Sequence, residues 1–140
     1  MTIAKILGAE SRTWNMEPIS TDEAPESIGP FSQGIVDGDR VYVSGQGPVA
    51  PATGEIIEGG VAAQTERTLE NVEAILQAAG LSLDDVVKST VFLTDMDDYD
   101  AINEVYGEHI TEPYPARSAV EVSSLPIDID VEIEVIATQR

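Results

Sequence analysis

The chain has no cysteine among its 140 residues. That removes a disulfide framework, a thiolate metal site and a cysteine nucleophile. Positive charge is also scarce, with 7 Lys and Arg against 26 Asp and Glu and a formal net charge of -19. Lys5 and Lys88 are the only lysines. Proteins that bind nucleic acid do so through clustered Lys and Arg that release counterions. No such cluster exists here, which argues against nucleic acid and anionic membranes as partners. Histidine occurs once, at His109, without a second His or Cys nearby. It reads as a surface residue, and no metal site is expected. No apolar run approaches the ~20 residues of a membrane span. The opening stretch MTIAKILGAESRTWN is too weakly hydrophobic for a secretory signal. A soluble cytoplasmic protein is expected.

What is present is enough apolar material for a core, 42% of residues, in a length usual for one domain. The acidic residues lie between apolar positions rather than in a tail, which describes a highly acidic folded surface and not disorder. Halophilic proteins carry such surfaces: carboxylates keep them hydrated, and at 1 M salt the repulsion is screened within about 3 Å.

Residues 1–15 read as an N-terminal extension, partly ordered, ahead of a single domain over 16–140. FSQGIVDGDRVYVSGQGP carries two β-rich runs around Asp37-Gly38, a hairpin signal. PATGE, residues 51–55, is a further turn. From Val61 to Ala79, Leu69, Val72, Leu76 and Ala79 recur at helical spacing, and Gly80 is a natural stop. DVVKSTVFLTD (85–95) reads as a mostly buried strand. Asp95, Asp97 and Asp98 suit the N-terminus of a second helix, lined inside by Tyr99, Ile102, Tyr106 and Ile110 and ended by Pro113 and Pro115. Two strands follow, ARSAVEV (116–122) and DVEIEVIAT (130–138). Hairpin, helix, strand, helix and two strands make an α+β fold with two helices on one face of a mixed sheet.

Alternation sorts the side chains of the last two strands. Ser118, Val120 and Val122 share one face of the first; Arg117, Ala119 and Glu121 share the other. In the second, Val131, Ile133, Val135 and Ala137 form an apolar face opposite Glu132, Glu134 and Ile136. With the apolar faces under the helices, Arg117, Glu132 and Glu134 are expected to project from the far face, where a guanidinium among carboxylates points to a subunit interface containing a site. Arginine grips a carboxylate through two parallel hydrogen bonds, and a desolvated glutamate can move a proton or direct a water. The pair suits a small substrate bearing a carboxylate beside a reactive C=N or C=C bond. On the residues alone, a structural Arg–Glu ion pair, across the sheet or between subunits, is the favoured reading.

Other motifs carry less. Ser44 in VSGQG lacks the G-x-S-x-G pattern of a nucleophile elbow and a histidine partner. GQG is too short and isolated for a dinucleotide loop. The 95–100 aspartates do not follow the spacing of an EF-hand. Arg67 and Glu70 read as an exposed pair on the first helix.

IGPFSQG, VYVSGQGP, TGEI, QTERTLENVEAILQAAG, VVKSTVFLTDMDDYDAINEVY, PARSAVEVSSLP and VEIEVIA together resemble the Rid family, the reactive-intermediate imine/enamine deaminases or YjgF/YER057c-like proteins. The resemblance covers about residues 17–138. It implies a chorismate-mutase-like α+β fold and a homotrimer whose sheets form a central β-barrel, with sites in clefts between subunits. The implied activity is hydrolysis of 2-aminoacrylate-type enamines and imines, such as 2-iminopropanoate and 2-iminobutanoate, to 2-oxo acids and ammonia. No metal and no organic cofactor is implied. Arg117 matches the arginine that binds the substrate carboxylate, and Glu132 the acid that positions water and supports proton transfer. Gly45, with Ser44 beside it, matches a pocket-lining backbone. Asn103 matches an asparagine of the site region. Ala119 stands where many members have cysteine or threonine. Phe31 replaces the tyrosine of a common GPYSQ, keeping the ring without its hydroxyl. A carboxylate-binding protein of the same fold without turnover is the alternative; ribonuclease or translation inhibition, reported for relatives, sits poorly with a charge of -19.

Overall fold

In a computed structural model, residues 16–140 are described; the expected extension, 1–15, lies outside them. The chain runs β1 (Met16–Ile19), β2 (Gly34–Asp37), β3 (Arg40–Gln46), α1 (Val61–Ala78), β4 (Val86–Leu93), α2 (Tyr99–His109), β5 (Ala116–Glu121) and β6 (Val131–Thr138). Short 3-10 turns, Leu83–Asp85 and Met96–Asp98, precede β4 and α2. The α+β class and the mixed sheet are as expected. β1 is an addition, a four-residue edge strand that the sequence pattern does not separate from the loop after it.

The six strands are ordered β1-β2-β3-β6-β4-β5. All neighbours are antiparallel except β4 and β5, joined in parallel through α2. The β2–β3 turn closes at the Asp37–Arg40 pair, with Gly38 at φ +65°, one residue later than the dipeptide signal placed it. Gly80 ends α1 at φ +81°. Its N–H donates to the Gln77 carbonyl at 2.9 Å, and that of Leu81 to the Leu76 carbonyl at 2.9 Å, the 5→2 and 6→1 pair that terminates helices on glycine. Before β4, Ser82 and Asp85 cap one another's backbone N–H groups.

Both helices cover one face of the sheet. Leu69, Val72, Ile75 and Leu76 of α1 and Ile102, Val105 and Tyr106 of α2 pack on Val41, Val43, Val91, Leu93, Val131, Ile133, Val135 and Ala137. Each fully buried aliphatic side chain here contributes about 1.5–3 kcal/mol. The opposite face carries Tyr42, Lys88, Thr90, Glu134 and Ile136, which line a shallow hollow that no element of the described residues covers. His109, expected at the surface, is half-buried instead: its Nε2 lies 3.0 Å from Glu66 Oε1 and ties α2 to α1.

Candidate active site

The register of β5 decides where Arg117 goes. Ser89, Val91 and Leu93 of β4 are buried under the helices, and they pair with Arg117, Ala119 and Glu121. Paired residues share a sheet face, so Arg117 and Ala119 point to the helix side. This corrects the expected orientation of Arg117. Val120, expected to pack under the helices, is 41% exposed on the far face. The reason lies in β5 being an edge strand: its helix-side row opens to solvent, where a long guanidinium side chain is accommodated and a small Ala119 fills the space beneath α2.

Arg117 is half-buried against two rings of α2. Its Cζ sits 4.7 Å from the Tyr106 ring centroid and 5.6 Å from that of Tyr99. Its Nη2 donates to the Tyr99 hydroxyl at 3.0 Å. No carboxylate lies within 4.0 Å of it among the described residues, so the structural ion pair across the sheet with Glu132 or Glu134 is not made. Tyr106 is itself fixed, its hydroxyl 2.6 Å from that of buried Ser89. Burial pushes the Tyr106 phenol up, opposed by the Ser89 hydrogen bond and the Arg117 charge. Asn103 is half-buried on the same helix, four residues after Tyr99 and three before Tyr106, hence on the same side.

Glu132 pairs with Phe92 across β4–β6 and projects from the far face. The pairing of β3 with β6 shifts between Val43 and Gln46, a bulge that contains Ser44 and Gly45. There the Glu132 carboxyl lies directly over Gly45: a Cβ at that position would stand 2.8 Å from Glu132 Cδ. Burial, and then the charge of Glu134, hold the Glu132 carboxyl above the usual carboxylate range. Ser44 turns its hydroxyl to the Ser32 carbonyl at 2.6 Å, and its N–H bonds the Gln33 carbonyl at 2.9 Å. These bonds hold the loop carrying Phe31 beside the bulge. The Phe31 ring is 52% exposed.

The expected site residues therefore fall into two groups. Arg117, Ala119 and Asn103 gather at the β5–α2 edge. Glu132, Gly45, Ser44 and the Phe31 loop gather at the bulge on the other face. Sequence reasoning missed Gln33, whose amide fixes that loop by donating to the carbonyls of Thr21, Ala24 and Pro25 and accepting from the Thr21 N–H. A glutamine beside a glycine after a proline-rich loop was the available signal. Sequence reasoning also placed Tyr99 and Tyr106 only as packing residues. Asp95 accepts from the Asp97 N–H at 2.9 Å, as a turn cap. Among the described residues no helix is long and apolar enough to cross a membrane, and no group of three His, Cys, Asp or Glu is arranged to hold a metal ion.

Among the described residues this is a small α+β protein with one helix-covered sheet face, an arginine without a carboxylate partner at the β5 edge, and a glutamate of raised proton affinity on the interior strand β6. It belongs to the YjgF/RutC/Rid family: residues 21–139 match the family described as Endoribonuclease L-PSP. A RutC family protein of Pyrococcus horikoshii is 54% identical over 121 residues, 86% of this chain and 96% of its own. The 2-iminobutanoate/2-iminopropanoate deaminase of Escherichia coli K12 is 48% identical over 125 residues, 87% and 97% of the two chains. Among solved structures, Escherichia coli TdcF with bound serine superposes at a TM-score of 0.83 with 50% identity, covering 89% of this chain and 99% of that one. RidA from an Antarctic Psychrobacter does so at 0.85 with 48% identity, covering 88% and 99%.

Proposed function

We propose that the chain hydrolyses 2-aminoacrylate-type enamines and their imine tautomers, 2-iminopropanoate and 2-iminobutanoate, to 2-oxo acids and ammonia. In this reading it acts as a homotrimer whose sites form between neighbouring subunits. Arg117 of one copy binds the substrate carboxylate, with Asn103 and Ala119 beside it. Glu132 of the adjacent copy faces the imine carbon, flanked by Ser44, Gly45 and Phe31. Glu132 takes a proton from water as the water oxygen adds to C2 of the protonated imine, giving a neutral carbinolamine. The protonated Glu132 passes that proton to the amino nitrogen. As the C–N bond breaks and ammonia leaves, the carbinolamine hydroxyl gives its proton to the Glu132 carboxylate and C2 closes to a carbonyl. Water supplies the oxygen, and no redox partner enters. The exposed far face and the free edge of β5 favour the assembly.

The observation that carries the reading is the Glu132 carboxyl lodged over the Gly45 bulge with its proton affinity raised, as a group that both accepts and returns a proton requires. The relative named as a deaminase at 48% identity supports the substrate class. The test generates 2-iminobutanoate with a threonine dehydratase and follows its decay in a salt series. Acceleration over the spontaneous rate is expected; an unchanged rate overturns the reading.

Phe31 favours a second reading. A ring without a hydroxyl beside the bulge suits a protein that binds small carboxylates without turning them over. Binding of 2-oxobutanoate, seen as a thermal shift, without imine decay would select it.

A further inference from the structure

We propose that Tyr99 is a positioning residue that leaves the Arg117 guanidinium a single open edge for a carboxylate, with the Tyr106 ring as its backing. The proposal deepens the function above and rests on its assignment of Arg117 to carboxylate binding.

A guanidinium has two edges able to make paired, parallel hydrogen bonds, one from Nε and Nη2 and the other from Nη1 and Nη2. Nη2 gives one N–H to each. One Nη2 hydrogen is committed to the Tyr99 hydroxyl at 3.0 Å. One edge is therefore interrupted and the other remains whole. An incoming carboxylate meets one bidentate geometry rather than two, which fixes the direction in which the adjoining imine carbon points.

The partner is suited to that task. A phenol is neutral, so it orients the guanidinium without cancelling its charge; a glutamate at the same place would compete with the ligand. The plane is set from below by the Tyr106 ring, 4.7 Å from Cζ and within cation–π reach. That ring is immobilised by the 2.6 Å bond between its hydroxyl and Ser89, both residues being buried. Tyr99 and Tyr106 are seven residues apart, two turns of α2, so one helix carries both contacts. An arginine side chain otherwise samples many rotamers, and ordering it before binding removes that loss from the binding step.

The test is Tyr99→Phe, which keeps the ring and removes only the hydroxyl. Binding of 2-oxobutanoate and of its uncharged amide is measured by calorimetry, with kcat and KM for 2-iminobutanoate and side-chain ¹⁵N spectra of Arg117. Loss of one hydrogen bond to a charged group is expected to weaken carboxylate binding and raise KM about tenfold. Amide binding and kcat are expected to stay within about twofold, and rotation of the Arg117 guanidinium to speed up. Carboxylate binding equal to wild type, or a fall in kcat at unchanged KM, overturns the proposal. A wild type that binds 2-oxobutanoate without turnover, with the tenfold ratio kept in Tyr99→Phe, upholds the positioning role while the deaminase reading fails. A wild type that binds no carboxylate overturns both.

Discussion

Arg117 and Glu132 lie on opposite faces of one sheet. Arg117 shares the helix side with Ser89 and Val91, and Glu132 projects beside Phe92 and Gly45. In the proposed assembly, one chain supplies half a site at its β5 edge and the other half at the β3–β6 bulge. The two halves meet only if the β5 edge of one copy approaches the bulge of another. Arg117→Ala and Glu132→Gln chains, each inactive alone, should then regain activity when refolded together. Random mixing in a ring of head-to-tail interfaces leaves about one site in four intact. Mixtures that stay inactive while forming mixed oligomers by mass spectrometry would place both residues in one chain's site.

Arg117→Ala should lower kcat/KM at least about a hundredfold, roughly 2.7 kcal/mol of lost transition-state binding. Because no carboxylate among the described residues pairs with this guanidinium, the variant should fold and assemble as wild type by gel filtration. Arg117→Lys should recover little, since an ammonium cannot make the paired bonds. Unfolding of the alanine variant would show a structural arginine instead.

Gly45→Ala tests the bulge. A methyl at 2.8 Å from Glu132 Cδ forces the carboxyl aside. Displacement of a catalytic group by about 1 Å costs on the order of a hundredfold in kcat. Melting temperature should move by a few degrees at most, because the strained atom is the end of a half-exposed side chain. Unchanged kcat would remove Glu132 from the chemistry.

The raised proton affinity of Glu132 has two readouts. In kinetics, the limb of the wild-type kcat profile that reports this group should fall above the ordinary carboxylate range. In stability, a carboxyl whose folded-state pKa is raised is penalised when ionised. Below its unfolded pKa both states hold the proton and the penalty is absent; it grows as pH rises and is complete above the folded pKa. Glu132→Gln should therefore melt higher than wild type at neutral pH and equally in acid. Thermal melts across pH check the sign.

With a formal charge of -19, self-repulsion opposes the compact state at low ionic strength. Raising KCl from 0.1 to 2 M contracts the screening length from about 10 Å to under 3 Å, and the melting temperature should climb across that range. A flat profile would reject the halophilic reading of the surface.

How far the sequence carried differs from element to element. The span of α1 was legible because Leu69, Val72 and Leu76 follow one helical stripe and Gly80 stops it. β6 was legible because Val131, Ile133, Val135 and Ala137 alternate without exception and are all buried. Periodicity reports a burial that one element imposes by itself. β5 gave no such report: both its faces mix small apolar and polar residues, so alternation divided Arg117 from Val120 correctly but could not say which row lay under α2.

The sequence by itself determined the two helices and the strands other than β1, the acidic composition, the absence of thiol chemistry and the membership suggested by its motifs, all of which are properties of local pattern or composition. Only the tertiary structure decided that β6 enters between β3 and β4, that β5 pairs in parallel at the edge, and that Arg117 consequently rests on Tyr99 and Tyr106 while Glu132 rests on Gly45. Strand order and register arise from packing between segments far apart in the chain. A one-residue slip in that packing reverses every side chain, so the faces on which these two residues act follow from the assembled sheet.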